Sequence, residues 1–139
     1  MPLINKNISV IMPAHNEGDR IYENLIKTHK VLKRTFISHE IILVSDGSKD
    51  NTKKNIENFI KKNKDIKIML INQENKGRSL SREIGAKNAK YLNLLFIDSR
   101  CEAEKDTLRI IKLKNYKTII GSPLSRTESK LERFNQLIR

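Results

Sequence analysis

A chain of 139 residues is sized for one domain around a single core. Its 37% hydrophobic and 32% charged residues exclude a disordered polyelectrolyte, and no apolar run approaches the roughly 18 residues of a membrane span. The 28 Lys and Arg against 16 Asp and Glu leave a net charge of +12, which favours anionic partners, yet the lysines are scattered like a solvated surface rather than clustered. One cysteine, Cys101, excludes an internal disulfide and a cysteine-based metal site. The opening Met1-Pro2-Leu3-Ile4-Asn5-Lys6 has no signal-peptide pattern, so the expected location is the cytoplasm, including the membrane surface facing it.

Strand-length apolar runs alternate with stretches of helical period, the pattern of a mostly parallel sheet covered by helices. Ile8 to Met12 is the first predicted strand, stopped by Pro13. A helix from about Asp19 to Arg34 carries Ile21, Leu25 and Leu32 on one face. Glu40 to Val44 is apolar on both faces and reads as a central strand. Thr52 to Lys62 has the helical spacing Ile56, Phe59, Ile60; Ile66 to Ile71 is a third strand, and Asn75-Lys76-Gly77 a turn. Ser79 is placed to cap a helix reaching Tyr91 with Leu80, Ile84 and Tyr91 inward, and Leu94 to Ile97 is a fourth strand. Beyond it, a helix at Glu104 to Lys112, a strand at Thr118 to Ile120 and an amphipathic helix from Glu128 to Arg139 are expected.

The strand ends carry the chemistry. Pro13-Ala14-His15-Asn16-Glu17 follows the first strand, Asp46 the second and Asp98 the fourth, and parallel strands bring such ends to one rim, where ligands bind. Asp46 is expected there as a solvent-facing carboxylate, while Ser48, Asp50 and Thr52 are suited to cap the next helix. For Asn16 and Glu17, capping competes with a ligand role, and for His15 an ordinary exposed loop position competes with ring stacking. Gly77 and Arg82 lie at a helix start, where free amides, the helix dipole and a forked cation suit phosphate. The residues alone point to an α/β domain that holds an anionic, nucleotide-like ligand.

In this order the motifs resemble those of the family 2 glycosyltransferases, inverting enzymes of the GT-A fold. Ile8 to Glu17 is similar to the family's opening strand and its Pro-x-Tyr-Asn-Glu turn. Val44-Ser45-Asp46-Gly47-Ser48-Lys49-Asp50-Asn51-Thr52 resembles Val-Asp-Asp-Gly-Ser-x-Asp-x-Thr, and Asn75 to Gly85 resembles Asn-x-Gly-x-x-x-Ala-Arg-Asn-x-Gly. Asp98-Ser99-Arg100 falls where the family carries Asp-x-Asp. The resemblance implies a nucleoside-diphosphate sugar as donor, UDP-linked by default with GDP and TDP open, an unspecified glycan or lipid acceptor, and Mg²⁺ or Mn²⁺.

It also implies roles: Pro13 and His15 lining the base pocket with Ala14 and Glu17 beside them, Asp46 accepting a hydrogen bond from the base, Arg82 near the nucleotide or diphosphate with Gly77, Asp98 near the ribose and metal, and Arg100 beside them. No catalytic residue is assigned, because the family's general base lies further along than the matched motifs. Residues 1–139 are thus expected to form one nucleotide-sugar-binding domain of a truncated glycosyltransferase, its acceptor-binding half absent. Self-association through an exposed sheet edge and contact with a membrane surface are the further expected associations; nucleic acid is not an expected partner.

Several positions depart from the family pattern. Ser45 replaces an Asp, His15 a Tyr, and Arg100 the second Asp of Asp-x-Asp. Arginine cannot ligate a cation, so Arg100 either neutralises the diphosphate itself or marks a site that has lost its metal and its catalysis. The alternative to an enzyme is a non-catalytic nucleotide-sugar-binding or regulatory module. A polyanion-binding protein relying on the +12 charge leaves the strand-end carboxylates unexplained.

Overall fold

The computed structural model describes residues 4–101, so the elements expected at Glu104–Lys112, Thr118–Ile120 and Glu128–Arg139 lie outside the described residues. Within them the chain runs β1 (Ile4–Ala14), α1 (Arg20–Thr35), β2 (Phe36–Asp46), α2 (Thr52–Lys62), β3 (Ile68–Gln73), α3 (Arg78–Lys87) and β4 (Leu94–Phe96). The strands form one four-stranded sheet in the order β3-β2-β1-β4, with every neighbouring pair parallel. This is the expected α/β fold with a Rossmann-like parallel sheet.

Side-chain alternation along the strands builds two packed layers. Ile8, Val10, Met12 and Ala14 of β1 and Ile41 and Leu43 of β2 join Ile21, Leu25 and Leu32 of α1 and Ile56 and Phe59 of α2 in the main core. Each such side chain contributes about 1.5–3 kcal/mol on full burial. Tyr22 meets Phe59 edge-on at 5.1 Å and seals the α1–α2 seam. The opposite face, with Ile11 and Val44, receives α3, and β2 is therefore buried from Ile41 to Val44 without alternation. A chain that winds from β1 to β3 in one direction and then returns past β1 to β4 must change faces if every crossover is right-handed.

Several strand boundaries differ from expectation, two of them for identifiable reasons. Pro13 does not stop β1; it pairs with Val44 inside the strand. The Ser9 amide donates to the Asn93 carbonyl and the Ile97 amide to the Ile11 carbonyl, so odd residues of β1 turn their backbone groups toward β4. Pro13 shares that side but lies beyond the end of β4 pairing at Phe96, where its missing N–H costs no ladder bond. Likewise β3 runs to Gln73 because polar Asn72 and Gln73 pair with Ser45 and Asp46, an extension that an apolar run does not reveal.

Helix α3 also differs. It starts at Arg78, with Gly77 as N-cap at φ 89° and no side-chain cap, and not with a Ser79 cap. Its inward residues are Ser81 and Gly85, whereas Leu80 is 37% exposed. Tyr91 lies past the helix, where its hydroxyl meets Ser38 Oγ at 2.9 Å. The reason is separation: a Cβ on Gly85 would stand 2.5 Å from Ile11 Cγ2, so α3 rides too close to the sheet for a large side chain to intervene.

Candidate functional site

The sheet order reverses between β1 and β4, and the loops leaving their carboxyl ends open a crevice at this switch point. The first loop is tied down by α2. Thr52 Oγ1 accepts hydrogen bonds from the Glu17 and Gly18 amides at 2.8 and 2.9 Å and donates its own proton to Asp50. Asp50 also accepts from the Thr52 amide at 2.9 Å. Asp50 thus closes a turn onto the first residue of α2, whose N-cap position is Asn51 and has no side-chain cap bond, while Thr52 and Ser48 serve another loop: Ser48 Oγ receives the Asn16 amide at 3.1 Å. Asn16 sits at φ 50° and accepts the Lys49 amide at 2.9 Å, so it joins two loops rather than capping α1.

Asp46, at the end of β2, is 4% exposed and not solvent-facing as expected. Its Oδ1 accepts from Gln73 Nε2 at 2.7 Å and the Lys76 amide at 2.8 Å, and its Oδ2 from the Gly77 amide at 3.0 Å. Burial pushes this carboxyl up, but those bonds together hold it below the ordinary Asp value. The amides of Lys76 and Gly77, suited in sequence to phosphate, are thus committed to Asp46. Gly47, at φ 65°, lets the turn close: a Cβ there would stand 2.6 Å from the Asn75 nitrogen.

His15 is exposed but oriented. Its Nδ1 lies 2.6 Å from the Asp46 carbonyl, which can only accept, so the proton is assigned to Nδ1. Nε2 then accepts from Asn16 Nδ2 at 3.2 Å. Both ring nitrogens are thus engaged, while the residue remains exposed.

Across the crevice, Arg100 Nε donates to both Glu17 oxygens at 3.0 and 3.3 Å. The Glu17 side chain is 6% exposed and that of Arg100 61%. Asp98 Oδ2 lies 3.6 Å from Arg78 Nη1, the latter from the first turn of α3. The second loop is fixed by Asn24 Nδ2, which donates to the Ser99 carbonyl at 2.7 Å, and by the Cys101 amide, which donates to the Asp98 carbonyl at 2.8 Å. Cys101 is half-buried; burial and then the Asp98 charge push its thiol up, as befits a packing residue.

These groups line one cleft of about 180 Å³, formed by Pro13, Ala14, His15, Glu17, Asp46, Asn75, Gly77, Arg78, Asp98 and Arg100. That volume is below the roughly 300–1,000 Å³ of a complete small-molecule pocket. Of the candidates named from the sequence, Asn16, which bridges two loops, and Arg82, which is half-buried, lie outside the lining. Arg78, one helical turn earlier, takes the place of Arg82, and Asn75 is also new. A helix starting immediately after Gly77 would have pointed to Arg78.

The residues around Asp98 do not fit a divalent cation. Asp98 faces Arg78, Glu17 is engaged by Arg100, and a guanidinium stands where a second carboxylate is needed. Among the described residues no group of three His, Cys, Asp or Glu is arranged to hold a metal, and no helix is long and apolar enough to cross a membrane.

Comparison with known proteins gives consistent matches. The profile described as Glycosyl transferase family 2 matches residues 9–129. Polypeptide N-acetylgalactosaminyltransferase 11 of Xenopus tropicalis is 35% identical over 102 residues, which is 70% of this chain and 16% of the relative. Dolichyl-phosphate beta-glucosyltransferase of Dictyostelium discoideum is 30% identical over an alignment of 143 residues, covering 94% of this chain and 44% of the relative. Among solved structures, a mannosyltransferase from Pyrobaculum calidifontis in complex with GDP-Man and Mn²⁺ superimposes with a TM-score of 0.70 at 20% identity, over 83% of this chain and 34% of that one. This chain therefore spans less than half the length of each of these proteins. The structural likeness establishes a shared GT-A fold.

Proposed function

This chain belongs to glycosyl transferase family 2, and from that premise we propose that residues 1–139 form a donor-binding unit whose cleft holds a nucleoside-diphosphate sugar for transfer to a glycan or lipid acceptor. The observation that carries this reading is convergence. Pro13, Ala14, His15 and Glu17, with Asp46, Gly77, Asp98 and Arg100, come from separate stretches of sequence and line the same cleft at the switch point of the sheet.

Each part has a chemical role to offer. The oriented His15 ring and Pro13 give a base a flat surface. Asp46 Oδ2, which accepts one recorded hydrogen bond, has capacity left for a base N–H. Asp98, beside the β1–β4 crevice, suits ribose hydroxyls. The guanidiniums of Arg78 and Arg100 provide the donors suited to phosphate oxygens. The bound GDP-Man of the Pyrobaculum enzyme supports a nucleotide sugar as the ligand class and leaves the base of this chain's donor to experiment.

The transfer itself, inverting by family resemblance, needs a base to take the acceptor's proton. Glu17, Asp46 and Asp98, the carboxylates of the cleft, are each engaged by an arginine or by hydrogen-bond donors. The described residues therefore bind and orient the donor, and deprotonation falls to a group outside them. That same engagement favours, as a second reading, a non-catalytic donor-binding module.

Calorimetric titration of the full chain with UDP, GDP and TDP tests the donor reading. Saturable binding of one of them is expected; a folded chain that binds none contradicts it. Incubation with the matching nucleotide sugars and candidate acceptors separates the two readings, since only the enzyme releases nucleoside diphosphate in an acceptor-dependent way.

A further inference from the structure

Resting on the donor reading, we infer that this cleft holds the diphosphate without a divalent cation, through a pair of guanidiniums, Arg78 and Arg100. The exposures decide what an incoming anion meets. The Arg78 and Arg100 side chains are 64% and 61% exposed, whereas Glu17 is 6% and Asp98 29% exposed. Asp46 is likewise buried, its charge spent on Gln73 and the amides of Lys76 and Gly77. The cations are thus the most exposed of these charges.

The anchoring also suits an anion clamp. Both recorded hydrogen bonds of Arg100 to Glu17 use Nε, and a guanidinium has further donors on its two Nη atoms. Glu17 thus fixes the plane of the fork and leaves its terminal N–H groups to grip phosphate oxygens in bidentate fashion. Arg78, from the first turn of α3, meets Asp98 in an ion pair of 3.6 Å that is loose enough for a phosphate to replace. Two guanidiniums lining the same cleft as Asp98 repel a divalent ion placed there and attract the diphosphate that the ion would otherwise neutralise.

The test is titration of the full chain with UDP, GDP and TDP and their parent nucleosides, each in EDTA and again in excess Mn²⁺, for wild type, Arg78→Ala and Arg100→Ala. One diphosphate is expected to bind in EDTA, with Mn²⁺ changing its affinity by less than about threefold. Each substitution is expected to weaken that diphosphate about tenfold or more and its nucleoside hardly at all, the size expected for lost charge-assisted bonds. The wild-type comparison needs no variant, so it holds even if Arg100→Ala exposes Glu17 and unfolds the chain. Diphosphate binding that requires Mn²⁺ overturns the clamp and leaves the donor reading standing, as does wild-type affinity in both variants. Binding of no diphosphate under either condition overturns the donor reading, and the clamp with it.

Discussion

Asp46 holds the turn at Lys76 and Gly77 while it lines the cleft, so its substitution has two consequences. In Asp46→Asn a side-chain NH₂ replaces one acceptor oxygen and leaves a buried amide donor facing another donor. The expected cost is about 1–3 kcal/mol of stability together with weaker nucleotide binding. Urea denaturation measures the first; stability equal to wild type would show that the carboxylate does not organise the turn. The His29 and His39 rings, with Nδ1 and Nε2 3.1 Å apart, set a pH dependence. Burial, then His29, Lys67 and Lys33, lower His39 to about 4; burial and Lys33 lower His29, with Asp65 opposing. Both lie below the ordinary 6.5, so on acidification the unfolded chain takes up protons first and stability falls from pH 6.5 toward 4. The depressed Asp46 and Asp50 add their own loss only below the ordinary carboxylate value. A urea midpoint that does not fall between pH 7 and 5, or a His39→Gln variant with an undiminished slope, contradicts this assignment. Asp46 was legible at its strand end, but its burial was not, because its partners Gln73, Lys76 and Gly77 are far along the chain. Arg82, and not Arg78, matches the family pattern, so the motif does not mark Arg78.

Among the elements, α3 depends most on a single small residue. Gly85→Ala places a methyl against Ile11 and Val44 of the sheet, at 2.5 and 3.4 Å from their γ carbons. Overpacking of this kind costs about 1–3 kcal/mol and pushes α3, with Arg78 at its start, away from the cleft. Thermal unfolding and nucleotide affinity are expected to fall together; a Tm equal to wild type would mean that the helix accommodates the methyl freely. Helices α1 and α2 were readable from their apolar period, because each lays a wide stripe on the core. Helix α3 was misread for the opposite reason: its buried face is Ser81 and Gly85, which hydrophobicity does not distinguish from solvent-facing residues. Thr52 shows a related limit. A residue type suited to capping its own helix instead receives two amides of a distant loop, and only tertiary structure chooses between the two.

For the whole molecule, alternating strands and helices were enough to give a parallel sheet, and polar residues at strand ends were enough to place a ligand rim. The strand order needed long-range pairing, and with it came the switch point between β1 and β4 that focuses the cleft. The +12 charge said only that anions are favoured partners. In the cleft, the Arg78 and Arg100 guanidiniums are more exposed than the buried Glu17 and Asp46 and the half-buried Asp98. The most direct measurement is an amide ¹H–¹⁵N correlation titration of the chain with the nucleoside diphosphate that binds in calorimetry. Donor binding in the cleft predicts that the largest shifts fall on residues 14–17, 46–48, 75–78 and 98–100, with α2 beyond its first turn and the His29–His39 region unchanged. Shifts centred anywhere else, or spread evenly over the lysine-rich surface, would contradict it.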